Sequence, residues 1–162
     1  DVAGRREDVI DHLGVERFHV LGMCIGGSYG LRLMQAAPER VASGVLLQPI
    51  GHDDNREAFR EMFEGWAREL VRDREELEPA VLEALRANLF DGDFVFSVDR
   101  AFVRRCATPM LILRGNDTYH PARTSEELAE LAPHGELVHD WKEGPAVDAA
   151  VARVRDFLAA HR

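Results

Sequence analysis

Short apolar runs alternate with segments of helical periodicity along this chain, and this alternation restricts the fold more than any other feature of the sequence. Four runs have the length and composition of buried strands, namely Phe18–Leu21, Gly44–Gln48, Met110–Leu113 and Glu136–His139. Apolar residues recur at helical spacing in Val2–Leu13, Gly26–Ala37, Asn55–Val71, Pro79–Leu89, Thr124–Leu131 and Ala146–Ala160. Strands that alternate with helices predict an α/β domain with a mostly parallel sheet and helices on both faces.

The stretch between the second and third predicted strands is longer than one crossover helix requires. It predicts a helical cap over residues 52–105, inserted above the ends of the strands of a core formed by residues 1–51 and 106–162. Residues 94–103 are expected to form a loop followed by a short helix. Trp66 and the phenylalanine stripe of the insertion either line a hydrophobic pocket or pack the cap onto the sheet.

Charge and composition exclude several classes of function. The chain of 162 residues has a net charge of −9, which argues against binding to nucleic acid or to an anionic membrane surface. The two cysteines, Cys24 and Cys106, do not form a disulfide framework, so a reducing, cytoplasmic location is expected. No pair of histidines has metal-ligand spacing beside a carboxylate, and we expect neither a metal nor a cofactor.

The sequence Gly22-Met23-Cys24-Ile25-Gly26-Gly27 lies where the first predicted strand passes directly into a helix. A residue on so sharp a turn is held in strained geometry with its side chain clear of the main chain, and Gly22 and Gly26 are expected to leave room for the turn. The positive end of the helix favours a reactive thiolate. The alternative is that Cys24 is a small, packed thiol, as free cysteines often are.

Four segments taken in order, Gly22–Gly27, Ala37–Val41, Pro109–Asp117 and Val154–Leu158, resemble the α/β-hydrolase superfamily. Each motif is loose alone. The succession of a strand, a sharp turn at Gly22–Gly27 that we call the elbow, and a helix makes the resemblance specific. It extends over nearly the whole chain. It implies an α/β-hydrolase fold in which residues 52–105 are the cap.

The resemblance also predicts an unpaired strand edge. Members of the family place further strands and a glycine-rich oxyanion loop before the helix with which this chain begins, so the chain resembles the C-terminal two-thirds of such a domain. The chain starts at Asp1 without a methionine. Because an open apolar edge invites pairing, we expect either a missing N-terminal portion or a homodimer along the Phe18–Leu21 strand.

The resemblance assigns roles to individual residues. Cys24 is the nucleophile, and the backbone N–H of Ile25 is one donor to the oxyanion; the second donor would come from the absent loop. Asp117 is the acid that orients a histidine, although an Asp at this position also suits a turn. Asp53 and Asp54 are fallback acids, or simply part of a polar loop.

The catalytic base is the least defined member of the predicted site. The family's histidine lies after the last strand, but here Asp140–Pro145 contains none. His120 leaves the same end of the sheet as Asp117 and is the first candidate, with a pocket-lining histidine as the alternative. His139 is the alternative base, or an ordinary strand residue. The remaining histidines have no such surroundings, and they are His12, His19, His52, His134 and His161.

These residues predict a hydrolase of an ester, thioester or lactone that acts on a small-molecule acyl substrate through an acyl-enzyme on Cys24, with acyl transfer as a variant. The missing loop histidine supports a different class of function. In that case the fold is non-catalytic and its pocket binds a small apolar ligand or a partner protein. A third alternative is an inactive fragment.

Overall fold

The computed structural model describes residues 9–74 and 76–162 and contains a parallel sheet. Its strands are β1 (Phe18–Cys24), β2 (Val41–Pro49), β3 (Met110–Leu113) and β4 (Gly135–Val138). They lie in the order β1-β2-β3-β4, and each neighbouring pair is parallel. The predicted α/β class is therefore confirmed. Because all these strands run in one direction, the segments that follow them lie at one edge of the sheet.

Helices connect and follow the strands. They are α1 (Ile25–Ala36), α2 (Arg56–Asp73), α3 (Pro79–Phe90), α4 (Arg100–Arg105), α5 (Ala122–Leu131) and α6 (Pro145–Ala160). Residues 9–12 are also helical, whereas the first part of the predicted Val2–Leu13 helix lies outside the described residues. Within the described part of the chain, no helix combines the length and the apolar character needed to cross a membrane.

Several strand ends differ from the prediction. β2 runs from Val41 to Pro49 rather than from Gly44 to Gln48, and β4 begins at Gly135 rather than Glu136. β1 continues beyond Leu21 to Cys24 because Gly22 and Met23 still pair with β2. β4 ends at Val138, so the prediction that His139 belongs to this strand is wrong.

Alternate side chains of the strands build two apolar layers. On one face, α1, α4 and α5 contribute Leu31, Met34, Phe102, Val103 and Leu128 to the core. On the other face, α6 contributes Ala150 and Phe157. β3 shows the alternation, since Met110 and Ile112 join the first layer while Leu111 and Leu113 join the second.

A separate aromatic cluster lies over the carboxyl ends of β1 and β2. Its buried members are Ile50, Phe59, Phe63 and Phe90, and we call these four residues the cap cluster. Trp66 is about half exposed at its rim, 5.6 Å from the ring of Phe63. The later part of the insertion is different, because Phe94, Val98 and Val103 belong to the core of the sheet. The division into core and cap at residues 52 and 105 stays a prediction.

β1 is an edge strand. In the described part of the chain it pairs with β2 alone. Leu21 and Met23 are 61% and 56% exposed, and they lie opposite Val45 and Leu47 in the register. They therefore lie on the same face of the sheet as α6, which packs on β2 and β3. On β1 this face is exposed, and we call Leu21 and Met23 the uncovered apolar strip.

Candidate active site

The chain turns sharply at Cys24. This residue ends β1 and is the N-cap of α1, with φ 57° and ψ −124°. A positive φ is uncommon outside glycine and costs about 1–3 kcal/mol. The pairing with β2 shifts at the same point, so that Cys24 lies opposite Pro49 and Gln48 bulges out with φ 37°. The predicted strand–elbow–helix element is thus present.

The two glycines of the elbow differ in what they contribute. A Cβ on Gly22 would overlap the backbone carbonyl of Gly26 and lie 2.9 Å from the nitrogen of Gly27. Gly22 is therefore required by the close approach of the strand to the helix. A Cβ on Gly26 would meet nothing within 4 Å. The expectation that Gly26 leaves room for the turn is therefore wrong, because that room exists with or without a side chain.

The surroundings of the thiol are largely apolar. Cys24 and Ile25 are partly buried and pack against the cap cluster. Ile25 opens α1, so its N–H has no acceptor within the helix. The backbone carbonyl of Cys24 accepts a 3.4 Å hydrogen bond from the N–H of Ile50. No hydrogen bond among the described residues joins the Cys24 thiol to a histidine.

Asp117 and His120 form a pair in the loop after β3. The Nδ1 atom of His120 lies 2.7 Å from Oδ1 of Asp117, and the same oxygen accepts the backbone N–H groups of Tyr119 and His120. Burial pushes the pKa of the Asp117 carboxyl upward, but these hydrogen bonds outweigh it and hold the pKa below its ordinary value. Asp117 therefore serves both as the turn residue and as the acid beside an imidazole.

Gly115 fixes the position of His120. A Cβ on Gly115 would overlap the carbonyl oxygen of His120 and lie 2.8 Å from its Cβ. The N–H of Gly115 donates to the hydroxyl of Ser125, at 3.0 Å. The His120 side chain is 13% exposed, and its Nε2 is buried without a hydrogen-bond partner in the described structure. One nitrogen is thus held by Asp117 while the other is unused.

Asn55 ties two of the loops at this edge together. Its Nδ2 donates to the carbonyls of Gly51 and Thr118, at 3.0 and 2.7 Å, and its Oδ1 accepts the N–H of Asp53. The residue is buried, so the bonds cannot be exchanged readily for water. Sequence reasoning missed Asn55, because its partners include a residue far along the chain.

The last loop approaches the acid loop but brings no histidine with it. The indole N–H of Trp141 donates to the carbonyl of Arg114 at 2.8 Å, and Lys142 donates to the side chain of Asn116 at the same distance. His139 lies just beyond β4 and is exposed. Its imidazole makes no hydrogen bond with the described residues, so its role as an alternative base stays a prediction.

His52 is a second histidine at this edge, and sequence reasoning missed it. It follows β2, and its backbone N–H donates to the carbonyl of Phe94 at 2.9 Å. Its ring lies 5.5 Å from that of Phe59 and 5.0 Å from that of Phe96. Burial, with a smaller effect from Arg56, lowers its pKa. The only available signal was its place directly after a buried strand, which predicts a position near Cys24.

Neither the fallback acids nor the second cysteine makes a hydrogen bond to a histidine of the candidate site in the described structure. Asp53 and Asp54 are exposed, and neither carboxylate is hydrogen-bonded to a described histidine. Cys106 is buried in the core of the sheet, as a packing thiol would be. No group of three or more His, Cys, Asp or Glu residues in the described ranges is arranged to hold a metal ion.

Solved structures have the same architecture. Rv0554 from Mycobacterium tuberculosis aligns with a TM-score of 0.71 and 18% identity, over 99% of this chain and 72% of that one. The naproxen esterase (carboxylesterase NP) from Bacillus subtilis aligns with a TM-score of 0.63 and 22% identity, over 96% of this chain and 65% of that one. At these identities the likeness shows the fold alone.

Sequence comparison gives the family. The chain is 27% identical over 161 residues to a protein named uncharacterized carboxylesterase nap from Bacillus subtilis (strain 168), covering 82% of this chain. This chain spans about half of that relative, namely 52% of its length. The family model described as alpha/beta hydrolase fold matches residues 5–96, more than half of the chain. The protein therefore belongs to the α/β-hydrolase fold family.

Proposed function

We propose that the protein hydrolyses carboxylic esters, thioesters or lactones, with Cys24 as the nucleophile. The observation that carries this proposal is the positive φ of Cys24 at the junction of β1 and α1. Strained backbone is found where its surroundings enforce it, and it clusters at active sites. The name of the carboxylesterase relative supports the same class of reaction.

The proposed reaction proceeds in two steps. The sulfur of Cys24 attacks the carbonyl carbon, and the N–H of Ile25 donates to the oxygen that becomes negative. The thiol proton passes to Nε2 of His120 and then to the departing alkoxide or thiolate, which leaves a thioester on Cys24. In the second step His120 takes a proton from water as the water attacks this thioester. The acid product leaves, and the proton returns to the sulfur.

Asp117 orients the base in this scheme. Its hydrogen bond to Nδ1 keeps the proton of a neutral His120 on that nitrogen, so Nε2 is free to accept another. The carboxylate also stabilises the imidazolium that forms in each step. His139 is retained as the alternative base, since it follows the neighbouring strand.

The first experiment measures acylation of Cys24 directly. The protein is mixed with 4-nitrophenyl acetate, and the acetylated residue is located by mass spectrometry while nitrophenol release is followed by absorbance. We expect acetyl on Cys24, loss of turnover in Cys24→Ala, and at least tenfold slower acylation in His120→Ala. Cys106→Ala is the matched control and keeps the parent rate, because that thiol is buried in the core.

Turnover that survives in Cys24→Ala would overturn the proposed nucleophile. If His139→Ala slows acylation while His120→Ala does not, the base is His139 instead. The two histidine variants differ only in which loop loses its imidazole, so they separate these assignments.

A second candidate function is a non-catalytic binding protein. It is favoured by one observation, namely that the thiol of Cys24 has no histidine hydrogen bond among the described residues. In that case Cys24 reacts with iodoacetamide no faster than a small-molecule thiol at pH 6, and neither histidine substitution changes the rate. Such a protein would bind a small apolar ligand or a partner protein at this end of the sheet.

A further inference from the structure

His52 combines a fixed position with unused hydrogen-bonding capacity. Both of its ring nitrogens are buried, and neither has a hydrogen-bond partner in the described structure. Its backbone is held by the carbonyl of Phe94. Leaving a buried donor or acceptor unpaired costs about 1–3 kcal/mol, so the folded protein gains nothing from these nitrogens as they stand.

Packing alone does not require an imidazole at this position. Its neighbours are the rings of Phe59 and Phe96, and a phenyl ring would make the same contacts without an unpaired polar atom. A buried polar group without a partner calls for an explanation such as a bound water or ligand. Because burial lowers the pKa of His52, the neutral ring offers one donor and one acceptor.

The position of His52 connects it to the elbow. Phe59 belongs to the cap cluster, and Phe96 and Cys24 both pack against it. The apolar surroundings are thus continuous from the sulfur to the imidazole. Phe96 is half-buried on a segment that is neither helix nor strand.

We propose that His52 is a substrate-binding residue, whose ring N–H donates one hydrogen bond to an oxygen in an otherwise apolar or aromatic acyl group. The proposal rests on the proposed function for the identity of the ligand as an acyl compound. It selects acyl groups that carry a keto or similar oxygen along an apolar chain over chains of the same shape without that oxygen.

The test uses two matched acids, 4-oxo-4-phenylbutanoic acid and 4-phenylbutanoic acid, which differ in one keto oxygen. Binding of their N-methylamides is measured by calorimetry, which needs no catalysis. We expect the parent protein to bind the keto amide roughly threefold to tenfold more tightly, as one added hydrogen bond would give. His52→Phe should lose this preference, and His52→Gln, which can still hydrogen-bond, should keep part of it.

Two further measurements make the result decisive. The ratio of kcat/KM for the 4-nitrophenyl esters of the two acids should change in parallel with the binding ratio. The unfolding midpoint of His52→Phe should equal or exceed that of the parent, and His134→Phe, at an exposed histidine, should leave all three readouts unchanged.

Several outcomes overturn the proposal. They are equal binding of the two amides to the parent, no binding of either amide, a preference that survives in His52→Phe, or a His52→Phe variant that is clearly less stable. If the amide preference is found but no ester is hydrolysed, the binding role of His52 stands and the proposed function fails.

Discussion

Cys24 and Gln48 both have positive φ angles, and they lie side by side on the neighbouring strands β1 and β2 where the strand register shifts. Strain of this kind persists only where the surroundings enforce it. At the elbow the enforcing contact is the approach of Gly22 to the carbonyl of Gly26, which leaves no space for a side chain on Gly22. The same substitution at the two glycines should therefore have opposite results.

Gly22→Ala should abolish both ester turnover and rapid modification of Cys24, because a methyl group would force the first turn of α1 away from β1. Gly26→Ala should retain both within about threefold, and it should not lower stability, since alanine favours helix over glycine by roughly 0.5–1 kcal/mol. Both variants are compared by iodoacetamide labelling and by urea unfolding. Equal effects at the two positions would show that the elbow does not depend on this contact.

Individual residues of the site could be predicted to different degrees. The position of Cys24, Asp117 and His120 at one edge of the sheet could be predicted, because each follows a recognisable strand and the strands are parallel. Their catalytic roles stay predictions. The contacts of Asn55 with Thr118 and of His52 with Phe94 could not be predicted, because the local pattern does not bring these residues near one another. Long-range loop contacts leave no periodicity in the sequence.

At the scale of whole elements, the imidazole of His52 makes one of the contacts between the end of the sheet and the cap cluster. His52 lies between β2 and the cap cluster, and the charged groups that act on it are Arg56 and Asp93. Burial and Arg56 lower its pKa, while Asp93 opposes them.

The existence of each strand was predictable from its apolar run, but the strand ends were not. Pairing with β2, rather than composition, extends β1 to Cys24.

This contact should make stability depend on pH. In the unfolded chain His52 titrates near its ordinary value of 6.5, and in the folded protein its pKa is lower. As pH falls below 6.5, His52 binds a proton more readily in the unfolded state than in the folded state. The free energy of unfolding therefore decreases. His52→Phe removes this contribution and should flatten the slope between pH 7.5 and 5.5, as measured by urea unfolding. An unchanged slope in His52→Phe would contradict the assignment.

At the scale of the molecule, Leu21 and Met23 form the uncovered apolar strip at the edge of β1. Edges of this kind template pairing with another strand. We propose that β1 pairs with a further strand, from a second copy of the chain or from a segment N-terminal to β1. The sequence predicted this edge from the family pattern, and the partner strand stays a prediction.

Pairing between two copies along β1 makes the 162-residue chain self-associate. We expect light scattering after size-exclusion chromatography to give a mass that rises with concentration. The double variant Leu21→Lys and Met23→Lys should reduce it, because charged side chains discourage edge pairing. A matched variant with lysine at Val81, which is also exposed and lies on α3, should behave as the parent. A parent mass that stays monomeric at all concentrations would rule out pairing between copies.

The long connection from β2 to β3 has a consequence for how such a chain can change over evolutionary time. The entropy of closing a loop grows only logarithmically, by about 0.6 kcal/mol for each doubling of its length. The segment from Arg56 to Phe90 can therefore change in length at small entropic cost to the sheet, provided that the buried residues of the cap cluster keep their packing. Residues from Phe94 onward cannot, because Phe94, Val98 and Val103 are part of the central core. Selectivity for a ligand can thus diverge in one half of the insertion while the other half preserves the fold.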